Sequence, residues 1–177
     1  MQRFTAQNFI AWRAQARDLI ARNIPPTDLV WDETPQQHLF VTEPPTSKQS
    51  DKVTVPPAFL QLAEVIACHR SENRWNLLYR LLWRLTHGEK HLLQISTDPL
   101  MHELLLMEKA IRRDAHKTKA FVRFRLVQEE QGDHYIAWHR PDHRILPLVS
   151  GFFARRFAAM MWTILTPDES LHWDGTQ

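Results

Sequence analysis

Basic residues are concentrated in the second half of the chain, and binding of phosphate groups is the chemistry that they favour. Between Lys109 and Arg156, eleven Lys and Arg stand against five Asp and Glu, whereas the whole chain has a net charge of only +2. The spacing is most informative at five positions: Lys117, Arg123, Arg125, Arg155 and Arg156. We predict that the first three and at least one of the last two form one anion-binding surface.

Alternation along a strand is the basis of this prediction. Arg123 and Arg125 stand two residues apart in a predicted strand, so their side chains leave one face about 7 Å apart, near the spacing of successive phosphates. Trp138 and His139 supply rings that could stack on unpaired bases. The alternative is a solvated surface whose cations pair with four nearby acids: Glu129, Glu130, Asp133 and Asp142. Both interpretations stay open on the sequence alone.

Histidines and carboxylates are the other candidates, since they serve as general acids, general bases and metal ligands. The chain has ten histidines, so chance groupings are expected, and none stands at a recognised metal-ligand or triad spacing. For His116 the alternative role is a structural hydrogen bond between a helix and the sheet. The single cysteine, Cys68, excludes a disulfide within the chain and is expected to be a buried thiol. We assign no catalytic residue, metal site or cofactor.

A long helix, a hairpin and a final helix–strand pair must position these residues. The long helix starts at Asp98–Pro99 and is predicted to end at about His116 or Lys119. Alternation predicts a strand over 122–127, a turn at 131–133 and an antiparallel partner over 135–139. Pro147 is predicted to begin the next helix, and residues 162–165 the last strand. Four aromatic side chains are predicted to be nearly inaccessible to water: Trp83, Phe124, Phe157 and Trp162.

The first half of the chain is predicted to be mainly helical. Helices are expected from a cap at Thr5 to about Asn23, over 58–69, and over 71–87 with Ser71 as the cap. Short strands are expected at 29–31 and 38–41, and residues 42–54 have the composition of a flexible surface loop. Together these elements predict one α+β domain over 1–177, with a small antiparallel sheet of about three to five strands packed against several helices.

Location follows from the apolar runs of the sequence. No run approaches the roughly 20 residues of a membrane span. The residues after Met1 lack the apolar region of a signal peptide. We therefore expect a cytoplasmic protein with no membrane partner.

A family resemblance extends over almost the whole chain. The stretches that carry it are Val55-Pro56, Phe59-Leu60, Trp75, Leu78-Tyr79-Arg80, Leu82-Trp83-Arg84, His116-Lys117, residues 120–125, Pro141-Asp142-His143, Phe152-Phe153, Arg155-Arg156-Phe157, residues 162–167 and residues 171–175. They resemble a bacterial domain of unknown function. That domain occurs as a stand-alone DNA metabolism protein encoded beside a radical-SAM protein, and also fused in front of a uracil-DNA glycosylase domain. This chain resembles the fused form more than the stand-alone form.

The resemblance implies a non-catalytic accessory domain in DNA metabolism or repair, which contributes DNA binding as the N-terminal part of a longer glycosylase fusion. Four residues of its motifs have no known role: His116, His143, His172 and Asp174. The four glycines are isolated and no uracil-pocket motif is present, so this chain should not excise uracil by itself. The alternative is a protein-interaction domain that docks the glycosylase domain in cis or the radical-SAM protein in trans.

Overall fold

The computed structural model describes residues 2–32, 54–129 and 132–175. Helices and two separate sheets confirm the α+β class. The chain divides into two compact units, one with Met1–Ala67 and Ser71–Leu106 and the other with Cys68–Arg70 and Met107–Gln177. A single domain over 1–177 stays a prediction. The strand predicted at 38–41 and residues 42–53 of the predicted loop lie outside the described residues.

The first unit begins with a two-stranded parallel sheet of β1 (Gln2–Thr5) and β2 (Leu29–Asp32). Helix α1 (Phe9–Ala21) connects the two strands, as a parallel pair requires. The predicted cap at Thr5 is wrong, because Thr5 belongs to β1. Asn8 caps the helix instead, and its side-chain oxygen accepts a hydrogen bond from the Ala11 N–H.

Three further helices follow: α2 (Pro57–Ala67), α3 (Arg74–Thr86) and α4 (Pro99–Phe121). The predicted cap of α3 at Ser71 is displaced, because the helix begins after Asn73. Asp98 caps α4 by accepting from the Leu100 and Met101 N–H groups. Helix α4 extends beyond its predicted end, to Phe121.

An aromatic cluster forms the core of the first unit. Trp12 stacks on Trp75 at 5.8 Å between ring centroids, and Trp31 contacts both Trp12 and Tyr79. The prediction that Trp83 is inaccessible is wrong. Trp83 lies on the same side of α3 as the exposed Arg80 and stacks at 3.6 Å on the exposed ring of His87.

The second unit contains a four-stranded sheet in the order β3-β4-β5-β6: Arg125–Glu129, Gly132–Trp138, Met161–Leu165 and Ser170–Trp173. The antiparallel pairing of β3 with β4 is confirmed, although β3 starts three residues later than predicted. The pairing of β4 with β5 is parallel, which corrects the prediction of a purely antiparallel sheet. The physical reason is helix α5 (Leu146–Arg156), which carries the chain back before β5 begins.

Helix α5 packs on one face of this sheet. The ring of Phe153 lies 6.1 Å from that of Trp162, whose side chain is 1% exposed, as predicted. The predictions of inaccessibility for Phe124 and Phe157 are wrong, since both are partly exposed. Phe124 lies between α4 and β3, and Phe157 follows the end of α5, so each packs at an edge of the core.

Candidate functional site

The face of the four-stranded sheet opposite Trp162 is open, and cross-strand register arranges its side chains in three rows. The first row holds Trp138, Leu165 and Ser170; the second holds Arg125, Ile136, Thr163 and His172; the third holds Val127, His134 and Met161. These alternate along each strand with the residues on the side of Trp162, where α5 packs. We call these ten residues the open sheet face.

Four apolar side chains of the open sheet face are exposed to water. Trp138 is 65% exposed, and Val127, Met161 and Leu165 are each more than a third exposed. Exposed apolar side chains on one face are what a partner-binding surface requires, so this face is the candidate for such a surface. The sequence signal for this face is the alternation of His134, Ile136 and Trp138, which the predicted anion-binding surface does not include.

A hydrogen-bonded trio crosses the open sheet face. His134 Nε2 lies 2.9 Å from Thr163 Oγ1, which lies 2.9 Å from His172 Nδ1. The Thr163 hydroxyl has one proton, so it donates to one ring and accepts from the other when both rings are neutral. The predicted motif residue His172 is therefore held in place by the sheet, and Asp174 follows the end of β6.

Arg123 and Arg125 do not share a strand, which corrects the geometric basis of the predicted anion-binding surface. Helix α4 extends to Phe121, and β3 begins only at Arg125. The Arg123 guanidinium donates to the carbonyl oxygens of Ala120 and Val122, at 2.7 and 3.0 Å. A cation at the carbonyl end of a helix stabilises it, so Arg123 has a capping role. Arg125 lies on the open sheet face.

The other three predicted cations lie elsewhere in the second unit. Lys117, on α4, is 4.0 Å from the Asp142 carboxylate. Arg155 and Arg156 are exposed at the end of α5, and the Arg156 guanidinium lies 5.6 Å from the Phe157 ring centroid. Because α5 covers the opposite side of the sheet, the fold does not bring these two arginines onto the open sheet face.

The end of β4 is tied to helix α4 by Thr118. The Thr118 hydroxyl lies 3.0 Å from His139 Nε2, and Thr118 is fully buried. His139 therefore has a structural contact, in contrast to the exposed Trp138 beside it.

His116 is exposed and does not provide the helix-to-sheet hydrogen bond that was its alternative role; Thr118 does. Arg140, exposed and two residues after Trp138, adds a cation at this edge.

A network of charged groups holds the Pro141–Asp142–His143 turn. The buried Asp114 carboxylate accepts from the His143 backbone N–H at 2.8 Å. Arg70 donates to the Asp142 carbonyl oxygen at 3.0 Å and to both carboxylate oxygens of Asp168, at 2.8 and 2.7 Å. The Arg70 backbone N–H donates to His143 Nδ1 at 3.3 Å, so His143 has a structural role in its neutral form. The sequence analysis did not identify Asp114 or Arg70.

The two histidines at this turn titrate below their ordinary range. Burial lowers the pKa of His143. The His69 ring stacks on that of His143 at 4.3 Å between centroids. Burial, and secondarily the positive charge of His143, lowers the pKa of His69 from 6.5 to about 4. Both rings are therefore neutral in the folded chain near neutral pH.

We expect the folded chain to lose stability as the pH falls from about 6.5 to about 4. In this window the unfolded chain protonates His69 while the folded chain keeps it neutral, and the lowered pKa of His143 acts in the same direction. The unfolded state then binds more protons, so the free energy of unfolding falls with the pH. Because both rings are partly exposed to water, the expected loss is only about 1 kcal/mol. Urea unfolding followed by circular dichroism across this range measures it.

The control is a His69→Gln variant, which removes one of the two titrating rings and should flatten the pH dependence. The raised pKa of Glu169, caused mainly by burial, acts in the opposite direction because it favours the folded state as the pH falls. Glu169 is present in both proteins, so its contribution cancels in the comparison. An unchanged slope in the variant would contradict the assignment to His69.

The described residues contain neither a metal-binding cluster nor a membrane-spanning helix. Within residues 2–32, 54–129 and 132–175, no group of three or more His, Cys, Asp and Glu could hold a metal ion. Over the same residues, no helix is both long and apolar enough to cross a membrane. Cys68 is buried, as expected, and burial raises the pKa of its thiol to about 12.

The fold and the site define an α+β domain that presents one uncovered face of a four-stranded sheet, with Arg125 on that face and Arg140 just beyond the end of β4. The family model described as "Domain of unknown function (DUF4130)" matches residues 72–174, more than half of the chain. The chain belongs to this family. The match includes α3, α4 and α5 and all four strands of the larger sheet. No curated protein and no solved structure matches the chain.

Proposed function

We propose that this chain is a non-catalytic accessory domain in DNA metabolism or repair, which contributes DNA binding as the N-terminal part of a uracil-DNA glycosylase superfamily protein. The observation that carries the DNA-binding role is the open sheet face, where Arg125 is a diagonal cross-strand neighbour of the exposed Trp138. The excess of positive charge between Lys109 and Arg156 supports the same role, because cations that contact phosphates displace counterions.

The five predicted cations contribute unequally in this proposal. Arg125 contacts phosphate on the open sheet face. Lys117, on helix α4, adds positive charge to the second unit. Arg123 acts mainly through the end of α4, since its guanidinium already binds two carbonyl oxygens. Arg155 and Arg156 lie on the helix that covers the opposite face, so they supply long-range attraction or a second contact.

Replacing Arg125 with Gln should weaken DNA binding severalfold and reduce the salt dependence by about one unit of log K against log salt. Arg17→Gln is the matched control, because Arg17 is an exposed arginine of helix α1 and its loss changes the net charge equally. Fluorescence titration of labelled single-stranded and duplex DNA at several salt concentrations measures both variants. Equal binding by the two variants would contradict the role of Arg125, and no binding of either DNA at low salt would remove the DNA role altogether.

The second candidate is a docking domain for the glycosylase domain in cis or the radical-SAM protein in trans. The exposed Val127, Met161 and Leu165 favour it, because apolar side chains at such density also suit a protein interface. Binding through an apolar interface should change little between low and moderate salt, whereas DNA binding should weaken steeply. The same titrations, repeated with each candidate partner protein, therefore separate the two functions.

A further inference from the structure

We infer that the open sheet face binds single-stranded nucleic acid, with Trp138 stacking on an unpaired base and Arg125 contacting the adjoining phosphate. This inference rests on the proposed DNA-binding function and specifies the form of the nucleic acid. It adds a stacking residue, a binding surface and a preference for unpaired strands.

Trp138 is suited to stacking by its position and exposure. Its side chain is 65% exposed at the end of β4, whereas Trp162 on the other face of the sheet is 1% exposed. An indole in water has an uncovered aromatic face, and every nucleobase can stack on such a face whatever its sequence. The backbone that carries Trp138 is fixed on both sides, by β5 and by the Thr118–His139 contact. The ring therefore stands on a rigid element.

The distance between Arg125 and Trp138 suits one nucleotide. Arg125 pairs with Ile136 across the β3–β4 ladder, and Trp138 is two residues further along β4. Diagonal neighbours of this kind stand about 7–8 Å apart, which a flexible arginine side chain spans easily. One nucleotide could therefore place its base on the indole and its phosphate at the guanidinium.

Charge on the open sheet face favours single-stranded over double-stranded nucleic acid. Arg125 is the one permanently charged residue in the three rows, and Arg140 follows just beyond Trp138. A duplex keeps its bases stacked inside and presents two rows of phosphates, which this largely apolar face does not match. A single strand presents one row of phosphates and free base faces.

The hydrogen-bonded trio extends the surface across the sheet. His134, Thr163 and His172 lie in the second and third rows, beside Ile136 and Met161. His172 is exposed and bonds Thr163 through Nδ1, so a base edge could meet the other nitrogen of its ring while the base face rests on the sheet. Four adjacent strands thus provide both stacking and hydrogen-bonding groups.

The test compares three probes and three variants of the full chain. The probes are a labelled oligothymidylate, the same strand annealed to its complement, and an abasic strand of equal length that keeps the phosphates but lacks the bases. The variants are Trp138→Ala, Trp138→Phe, which keeps an aromatic face, and Trp138→Leu, which keeps apolar area alone. Thermal unfolding of each variant verifies that it folds.

We expect the chain to prefer oligothymidylate over the duplex and the abasic strand. Trp138→Ala should weaken binding of oligothymidylate about tenfold and leave binding of the abasic strand unchanged. Trp138→Phe should restore most of the affinity and Trp138→Leu should not.

Three outcomes would overturn the inference. Preference for the duplex would exclude a surface for unpaired bases. Equal binding of oligothymidylate by Trp138→Ala and the unchanged chain would leave the DNA-binding function standing without the stacking role. Full affinity in Trp138→Leu would show an apolar contact without stacking. If the unchanged chain binds none of the probes at low salt, the proposed DNA-binding function itself fails, and a protein partner becomes the occupant of this face.

Discussion

Trp162→Ala is expected to lower the free energy of unfolding by about 3–5 kcal/mol, the cost of removing a buried aromatic side chain. Trp162 is 1% exposed on β5 and contacts the rings of Phe124, Phe153 and Trp173, at 5.7, 6.1 and 6.4 Å between centroids. Its loss leaves a cavity between α5 and the sheet that the rigid strands cannot close. Urea unfolding followed by circular dichroism measures the loss.

Trp138→Ala is the matched control, because it removes the same side chain from the opposite face of the same sheet. Trp138 is largely in water, so its removal should cost less than about 1 kcal/mol. Trp162→Phe should cost less than Trp162→Ala, since it keeps an aromatic ring in the core. It also removes an indole N–H that has no hydrogen-bond partner within the described part of the chain. Similar losses for Trp138→Ala and Trp162→Ala would contradict the assignment of the two faces.

Asp114→Ala is expected to cost about 2–3 kcal/mol, because it removes a charged acceptor from a buried hydrogen bond. The Asp114 carboxylate is 4% exposed and accepts from the His143 N–H, and the positive charge of Arg70 lies nearby. Without the carboxylate, that N–H loses its partner and the Pro141–Asp142–His143 turn loses its anchor to α4. Chemical unfolding gives the energy, and hydrogen exchange at His143 shows whether the turn opens.

The control for this change is Asp142→Asn, in the same turn. The Asp142 side chain is 76% exposed and reaches Lys117 only at 4.0 Å. An exposed ion pair of this length contributes less than about 0.5 kcal/mol. The free energy of unfolding of the variant should therefore be almost that of the unchanged chain. If Asp142→Asn costs as much as Asp114→Ala, the turn depends on surface charge and the buried anchor is not what holds it.

The predicted elements that the structure confirms are those with strong local signals. Asp98–Pro99 begins α4, Pro147 lies in the first turn of α5, and Gly88, with a φ of 111°, follows the end of α3. These signals act through the backbone of a few neighbouring residues, since proline fixes φ and glycine alone adopts positive φ at little cost. The hairpin of β3 and β4 follows from alternation along the two strands.

The candidate site was predicted only in part, because its residues come from separate elements. Arg125 and Trp138 were both singled out, but their placement as diagonal neighbours depends on the β3–β4 register. Alternation in the sequence begins at Phe121 and therefore predicts Arg123 within the strand. In the structure α4 continues to Phe121, so Arg123 lies outside the sheet and caps that helix. A local pattern cannot decide between an early start of the strand and a late end of the helix, because tertiary packing decides it.

The sequence by itself determined the α+β class, most of the helices, the basic character of the second half and the family resemblance. The tertiary structure alone decided which sheet face is covered. Packing of Phe153 and Phe157 against Trp162 and Phe124 fixes α5 on one side, and this leaves Trp138 and Arg125 on the other. Alternation assigns residues to two faces but does not say which face a helix will bury. That choice depends on shape and apolar area summed over elements far apart in the chain.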